Sequence, residues 1–314
     1  MRDADDIQVD LPILWSGFYP YTEYGDTSGT LEHHDRGGDQ MLPEGFSAYL
    51  SANQLVPPQV YLSVFGDADV IRQHAIGGDD TMAASQVGTI LMVGDARLML
   101  DHAVGGDDVF RPYSNYVVAY GDAEIMSDHA FGGNDSLFGS AGIGARLAAT
   151  NHLYGDAYAM SDQAKGGDDM VFGGGSYPGN INLLYGDAYI MSGHAKGGDD
   201  TLVAGRNASR NEMWGDAAAI EGSHVETGRD VFVPGKGTGM TIIHDFEPGK
   251  DVIDVRSYGF SNFFELSERI SVTETGSYIF FSWQFSEPGS PDSLENSITV
   301  LGDFALTPSD FLVV

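Results

Sequence analysis

The sequence predicts an all-β fold, a parallel β-helix or β-roll solenoid of about seven coils followed by a C-terminal β capping segment. Three observations predict it: a unit that recurs seven times, a glycine pair at the same place in nearly every unit, and short apolar segments on both sides of that pair. Because every unit supplies the same short strands and turns, successive units can stack as coils around one continuous core.

The repeated unit contains two aspartate motifs. A clear copy runs from Tyr185-Gly186-Asp187-Ala188 through His194 to Gly197-Gly198-Asp199-Asp200. The Gly-Asp aspartates of the seven units are Asp26, Asp67, Asp95, Asp122, Asp156, Asp187 and Asp216, separated by 41, 28, 27, 34, 31 and 29 residues. The repeats occupy about residues 24–232, and we expect no separate catalytic domain of ordinary size beside them.

The segments between the glycines favour strands over helices. Every unit is interrupted by glycine and rich in aspartate, both of which disfavour a helix. Segments such as 182–185 and 201–203 are short and apolar, as strands are, and the glycine pairs are expected to supply the tight turns. The fourth residue after each Gly-Asp aspartate is predicted to form an interior apolar ladder: Ile71, Met99, Met126, Met160, Met191 and Ile220.

The composition excludes several classes of function. With 46 acidic and 15 basic residues, the formal charge of −31 argues against partners such as DNA, RNA or anionic membranes. The chain has no cysteine, so disulfides and thiolate metal sites are excluded. No apolar run is long enough for a membrane span, and the N-terminus does not have the pattern of a classical signal peptide.

Stacking the glycine-pair turns predicts a column of carboxylates about 5 Å apart. Its members are Asp80, Asp108, Asp135, Asp169, Asp200 and Asp230. The 15 lysines and arginines of the chain are too few to neutralise this column and its acidic neighbours. Carboxylates and the carbonyls exposed by glycine turns suit a hard cation of flexible coordination, so several calcium ions per chain are expected. The alternative is a merely solvated acidic face.

The turns resemble the calcium-binding nonapeptide of repeat-in-toxin (RTX, haemolysin-type) proteins, Gly-Gly-x-Gly-x-Asp-x-apolar-x. In residues 197–202 the second glycine, the second aspartate and the apolar residue match, whereas Ala195-Lys196 replace the first two family glycines. The resemblance implies that the aspartates of the column above bind calcium between coils, except in the first unit, where Gln40 stands at that position. For Asp67, Asp95, Asp122, Asp156, Asp187 and Asp216, a second calcium column and a turn-capping role through backbone amides both stay open.

The C-terminal part extends the resemblance. Residues 230–254 resemble the capping segment that follows RTX repeats, and Asp310-Phe311-Leu312-Val313-Val314 resembles an uncleaved type I secretion signal. We therefore divide the chain into an N-terminal cap (1–23), calcium-binding repeats (24–232) and a C-terminal cap with secretion signal (233–314). The resemblance implies export by the type I secretion apparatus and folding on calcium outside the cell.

A histidine stands three residues before the glycine pair, or its equivalent, in all units but one: His34, His74, His102, His129, His194 and His224, with Gln163 in the fifth unit. One interpretation is a structural ladder in which each ring bonds a backbone group of the next coil, a role that glutamine can share. The other is a transition-metal or catalytic site made of imidazoles and nearby carboxylates.

Three function hypotheses follow. The first is a secreted calcium-binding solenoid with a structural, adhesive or surface- or glycan-binding role, and the aromatics Tyr113, Tyr116 and Tyr177 on inter-repeat loops would suit a polysaccharide or cell-surface glycan. The second is an enzyme built on the solenoid, a lyase, epimerase or isomerase of a sugar or other acidic substrate. The third is a module that works beside a partner enzyme. The sequence contains no recognised catalytic motif that would indicate a reaction, so the catalytic residues stay unknown.

Overall fold

The computed structural model describes residues 21–39, 41–42, 61–83, 88–142, 148–175, 179–273, 276–281 and 296–314. In chain order the first strands are β1 (Tyr21–Tyr24), β2 (Thr30–Leu31), β3 (Met41–Leu42), β4 (Tyr61–Phe65), β5 (Ala68–Ile71), β6 (Thr81–Met82), β7 (Thr89–Val93), β8 (Ala96–Met99), β9 (Val109–Phe110), β10 (Tyr116–Tyr120), β11 (Ala123–Met126), β12 (Ser136–Phe138), β13 (Thr150–Tyr154) and β14 (Ala157–Met160). They are followed by β15 (Met170–Phe172), β16 (Ile181–Tyr185), β17 (Ala188–Ser192), β18 (Thr201–Val203), β19 (Arg210–Trp214), β20 (Ala217–Glu221), β21 (Val231–Val233), β22 (Met240–Ile243), β23 (Val252–Asp254), β24 (Ile270–Thr273), β25 (Gly276–Phe281), β26 (Asn296–Leu301) and β27 (Phe311–Leu312). A short helix, α1, spans Phe263–Ser267, and 3-10 turns span Arg256–Tyr258 and Pro308–Asp310.

The strands form three parallel sheets, and each coil contributes one strand to each sheet. The first sheet has the order β1-β4-β7-β10-β13-β16-β19-β22, the second β2-β5-β8-β11-β14-β17-β20, and the third β3-β6-β9-β12-β15-β18-β21-β23-β27. The predicted all-β parallel solenoid is thereby confirmed, with about six turns against the seven expected.

Successive coils stack in register. Tyr120 pairs with Tyr154, Tyr154 with Tyr185 and Tyr185 with Trp214, so one repeat position occupies one line along the stack. A fourth line of isolated bridges joins Arg36, Ile76, Val104, Phe131, Lys165, Lys196 and Glu226. Every chemically distinctive residue of the repeat is therefore repeated along the solenoid as a column.

The described buried apolar residues form four clusters, and two of them contain the strands that face the interior of the repeat. Large residues such as Ile90, Leu137 and Leu202 fill one, and the other consists mainly of alanines with the apolar ladder predicted from the sequence. Five members of that ladder, from Ile71 to Met191, are buried, but the assignment of Ile220 is wrong because its side chain is 44% exposed. Ile220 lies on β20, the last strand of the second sheet, so no further strand of that sheet lies beyond it.

Close approach between coils, and not an unusual backbone angle, explains the glycine pairs. An ideal Cβ on Gly167 would lie less than 3.0 Å from the backbone of Gly133 in the preceding coil. The left-handed backbone conformation is instead found in the residue before the ladder position, histidine or Gln163, at Asp101 (φ 59°), Asp128 (φ 59°), Asp162 (φ 58°) and Gly193 (φ 69°). Aspartate and glycine tolerate that conformation better than most residues.

The C-terminal part continues the stack. β22 and β23 extend the first and third sheets, and β24–β26 then add an antiparallel edge to the first sheet. Within the segment that resembles a secretion signal, Asp310 is buried and Phe311 pairs with Ile253 in the third sheet. No helix among the residues described is long and apolar enough to cross a membrane.

Candidate metal centre

The Gly-Asp aspartates form a buried column, here called the inner column: Asp67, Asp95, Asp122, Asp156, Asp187 and Asp216. They lie in the turns between the first and second sheets. In each coil one carboxylate oxygen accepts a hydrogen bond from the second glycine of the pair, or its equivalent, as between Asp156 Oδ1 and the Gly167 amide (2.7 Å). The same bond joins Asp187 Oδ1 to the Gly198 amide (2.7 Å). These hydrogen bonds to backbone amides are the ones expected if the Gly-Asp aspartates cap the turns.

The remaining oxygen of each inner-column aspartate approaches the capped oxygen of the aspartate in the next coil. A Cβ on Gly166 would lie less than 3.0 Å from both Asp156 Oδ2 and Asp187 Oδ1, so carboxylates of consecutive coils approach the same small space. Oδ2 of Asp156 and Oδ2 of Asp187 are buried and accept no hydrogen bond from the part of the chain described. Capping therefore uses only part of the acceptor capacity of this column.

The second aspartates of the glycine-pair turns form another buried column, the turn column: Asp80, Asp108, Asp135, Asp169, Asp200 and Asp230. Each Oδ1 from Asp108 to Asp230 accepts a hydrogen bond from the backbone of the preceding coil. The Asp135 amide donates to Asp169 Oδ1 (2.7 Å), and the Asp169 amide donates to Asp200 Oδ1 (2.7 Å). The structure thus brings together the residues that the sequence predicted to form one column.

The second oxygen of the turn column points at a backbone carbonyl. A Cβ on Gly155 would lie less than 3.0 Å from both Asp169 Oδ2 and the carbonyl oxygen of Gly186 in the next coil. The described residues offer no hydrogen bond to Asp169 Oδ2, nor to the same atom of Asp108, Asp135, Asp200 and Asp230. Two acceptors converge with no donor between them, which is the environment a cation requires.

The first acids of the same turns lie outside this buried region. Asp79, Asp107, Asn134, Asp168 and Asp199 are exposed, and we call them the outer column. Their oxygens accept hydrogen bonds from the following coil, as between Asp168 Oδ1 and the Asp199 amide (2.9 Å). An asparagine serves at this position as well as an aspartate, since Asn134 Oδ1 accepts from the Asp168 amide (2.8 Å).

Burial makes ionisation of the inner and turn columns costly. Desolvation raises the pKa of Asp67 to about 6 and that of Asp122 and Asp216 to about 7. Burial and the charge of neighbouring carboxylates raise the pKa of Asp156 well above its ordinary value. Burial likewise raises the pKa of Asp169. Protons or cations must therefore neutralise much of the buried charge.

The basic residues do not supply that neutralisation along the columns. Among the described residues, lysine and arginine pair with other acids: Arg72 with Glu32, Arg97 with Asp69, Lys196 with Glu226, Arg210 with Glu212, Lys250 with Glu247 and Arg256 with Asp254. Lys250 lies close enough to lower the pKa of Asp216 at the C-terminal end, against the larger effect of burial.

Two further carboxylates complete the columns and were missed by the analysis of the sequence. Asp251 Oδ1 accepts from the Asp230 amide (3.1 Å) and so continues the turn column. Asp245 accepts from the amides of Gly215 (2.8 Å) and Asp216 (3.1 Å). Asp245 lies 29 residues after Asp216, the spacing of the repeat, so the sequence could have identified it as a further member. In the structure the preceding residue, His244, stacks on Trp214 of the coil before.

The histidines form a ladder of neighbouring rings. Ring centroids are 5.4 Å apart for His34–His74, 4.6 Å for His74–His102, 4.7 Å for His102–His129 and 4.8 Å for His194–His224. None of these six rings hydrogen bonds to the backbone within the described ranges, so stacking replaces the expected ring-to-backbone bonds. No group of three or more His, Asp or Glu side chains forms a preformed metal centre there either. The convergent groups are pairs of carboxylates with backbone carbonyls.

Of the aromatics suggested for glycan binding, the structure describes Tyr113 and Tyr116. Tyr113 is 45% exposed, whereas Tyr116 lies on β10 and its hydroxyl bonds His152 Nε2 (3.0 Å). Tyr177, and Gln40 in the first unit, lie outside the described residues.

Comparison with known proteins gives no match to a family model, a curated protein or a solved structure.

Proposed function

We propose that the inner and turn columns bind calcium and that this binding folds the solenoid. The proposal rests on one observation. Asp169 Oδ2 and the Gly186 carbonyl oxygen both point into the space beside Gly155 where a Cβ would lie, and the same arrangement is repeated from coil to coil. Buried acceptors without donors are costly, and a cation satisfies both at once.

The donor set favours calcium over other metals. Carboxylate and carbonyl oxygens are ligands for hard cations, and the columns contain no sulfur or imidazole. Calcium accepts six to eight oxygens in flexible geometry, whereas magnesium keeps several waters in a strict octahedron. Oδ2 of the turn column and the carbonyl of the next Gly-Asp glycine would hold one set of ions, and paired carboxylates of the inner column another.

The resemblance to RTX repeats supplies the cellular part of the proposal. The chain would be exported by a type I system, remain unfolded where calcium is scarce, and fold outside the cell as the turns are neutralised. Its role would be that of a structural, adhesive or glycan-binding scaffold. A rigid stack with repeated surfaces supports such a role, because solenoids present extended binding faces.

The direct test is cation removal from the full chain. Stripped of metal at pH 7.5, the protein should lose most of its β-sheet circular dichroism, and millimolar calcium should restore it with several ions bound per chain by equilibrium dialysis. Magnesium at the same concentration should restore little. A native spectrum in metal-free buffer, with no calcium bound on titration, would contradict the proposal.

A matched pair of variants tests the turn column itself. In Asp169→Asn one amide oxygen can still accept the Asp135 amide, while the new NH₂ group can donate to the Gly186 carbonyl. We expect this variant to fold in calcium but to bind about one ion fewer per chain, since one ligand charge is lost. Asp168→Asn, its exposed neighbour in the same turn, should bind the full number. Equal stoichiometry in the two variants would exclude Asp169 as a ligand.

A further inference from the structure

The histidine ladder is interrupted at one described coil, and a groove lies at the interruption. This groove, the ladder-gap groove, has a volume of about 690 Å³ and is open to solvent. Its lining residues are His129, Phe131, Gln163, Lys165, His194, Lys196 and Glu226. The volume is in the range of sites that hold small organic ligands.

Within the described coils, the interruption leaves one face of His129 and one face of His194 without a stacked aromatic ring. His129 stacks on His102 and His194 stacks on His224, but Gln163 occupies the coil between His129 and His194. Two coil spacings of about 4.8 Å separate those rings, so the gap has the depth of one missing ring. The Gln163 amide offers both a hydrogen-bond donor and an acceptor in that gap.

Two lysines lie side by side at the edge of the groove. Lys165 and Lys196 are bridge partners on consecutive coils, and they are two of the four lysines in the chain. Both are exposed. Lys196 Nζ pairs with Glu226 Oε2 (2.7 Å), whereas Lys165 forms no ion pair within the described residues. Arg36 stands at the equivalent position of the first coil and Ile76, Val104 and Phe131 at those of the next three, so among the described coils two positive charges are adjacent on this line at Lys165 and Lys196.

We propose that the ladder-gap groove binds an acidic sugar, with the sugar carboxylate on Lys165 and Lys196. Hydroxyl groups would pair with the Gln163 amide, and the ring would lie against the imidazoles and Phe131, whose side chain is 43% exposed. The proposal deepens the scaffold role given above, and rests on it, by naming the class of ligand.

The acidity of the protein does not prevent this binding. Charges farther than a Debye length of about 8 Å are largely screened at physiological ionic strength. Calcium in the two columns would neutralise much of the remaining field. The charges in contact with the ligand then decide the affinity, and these include the free ammonium group of Lys165.

The test uses the calcium-loaded full chain and isothermal titration calorimetry. The probe is a hyaluronan tetrasaccharide, which carries glucuronate, and the neutral comparison is the tetramer of N-acetylglucosamine. We expect measurable binding of the acidic probe and at least about fivefold weaker binding of the neutral one, the effect of one exposed charge pair. Equal affinity for the two would overturn the proposal. Sodium sulfate or acetate binding as tightly as the tetrasaccharide would also overturn it, since the groove would then be a simple anion site.

Two variants locate the binding. Lys165→Gln should raise Kd about fivefold, and Gln163→His, which completes the ladder, should raise it by at least as much because the gap is filled. Lys236→Gln makes the same charge change at a residue that does not line the groove and should leave Kd unchanged. An unchanged Kd in both groove variants would refute the site.

Circular dichroism and calcium stoichiometry are measured on the same samples. If the wild-type chain folds normally with its full calcium content but does not bind the probe, the groove proposal alone is refuted. A chain that folds without calcium but binds the probe refutes the calcium proposal alone.

Discussion

The buried aspartate columns and the largely exposed histidine ladder run along the same stack but differ in regularity. From Asp67 to Asp230 both buried columns contain aspartate in every described coil, whereas the ladder contains Gln163 and the outer column contains Asn134. A buried aspartate must accept a backbone hydrogen bond and also face another oxygen. A solvent-facing imidazole only stacks on its neighbours. The buried aspartate is kept in every coil because it meets both requirements away from water. The ladder position can change because its side chain makes only one weak contact.

The largest effect should come from filling the space where the oxygens converge. In Gly155→Ala the new Cβ would lie less than 3.0 Å from Gly186 O and Asp169 Oδ2. Because one obstacle is backbone, we expect a loss of about 3 kcal/mol or more in the free energy of unfolding. Thermal and chemical denaturation in saturating calcium would measure it.

Gly38→Ala is the matched control. This glycine belongs to the first described coil, and its nearest neighbour to a Cβ would be Asp26 Oδ1 at 3.3 Å. We expect a small change in Tm and a full calcium complement. If the two alanine variants were equally stable, close approach at Gly155 would not constrain the stack.

The next effect concerns pH in metal-free buffer. The folded-state pKa is raised to about 6 for Asp67 and about 7 for Asp122 and Asp216, above the unfolded value of about 4. The metal-free folded chain therefore binds more protons than the unfolded chain. Its stability should be fully present below pH 4 and decline as pH rises through 6 to 7. Calcium should weaken or reverse this trend, because bound carboxylates must be ionised.

Circular dichroism melts of metal-stripped protein between pH 4 and pH 8 would measure this dependence. The β-sheet signal of the metal-free chain should be largely present near pH 5 and mostly lost by pH 7.5, because these carboxylates ionise in that range. A metal-free signal that did not change with pH would mean that ionisation of the buried carboxylates does not destabilise the fold.

The smallest effect should come from the histidine ladder. His102→Gln reproduces in another coil the residue that the chain already has at Gln163. We expect a loss of about 1 kcal/mol or less, because ring stacking of one residue is removed. Urea denaturation would measure it, with calcium stoichiometry unchanged. If zinc or nickel raised the Tm of the wild type but not of His102→Gln, the ladder would be a transition-metal site instead.

Much of the architecture was predictable because it depends on local repetition. The spacing of the Gly-Asp motifs identified the coils, and alternating short strands and turns identified a solenoid. The turn column could be assigned because equal positions in stacked repeats must align. Ile220 could not be placed correctly, since its exposure depends on where the second sheet ends.

The candidate site was predictable in its residues but not in its geometry. Asp245 and Asp251 depart from the glycine-rich motif, and only the structure shows them accepting the amides of Asp216 and Asp230. That Asp169 uses one oxygen for the preceding coil and turns the other towards Gly186 is also a three-dimensional fact. Likewise, the groove beside Gln163 requires knowing that Lys165 and Lys196 are bridge partners.

The hydrogen bonds of the glycine-pair turns have a direction, and it gives the solenoid two complementary ends. The Asp168 amide donates to Asn134 of the coil before (2.8 Å), while the Asp169 amide donates to Asp200 of the coil after (2.7 Å). The two faces of an internal coil are therefore complementary, so the upper face of one coil can pair with the lower face of any other. Between separate molecules, this head-to-tail relation produces open filaments. Here the coils belong to one covalent chain, and Asp251, β23 and β27 continue the turn column and the third sheet after the last Gly-Asp unit. If one whole internal coil were deleted or duplicated, every remaining turn would still have a neighbouring coil to donate to and to accept from. Solenoids built in this way can therefore differ in length by whole coils.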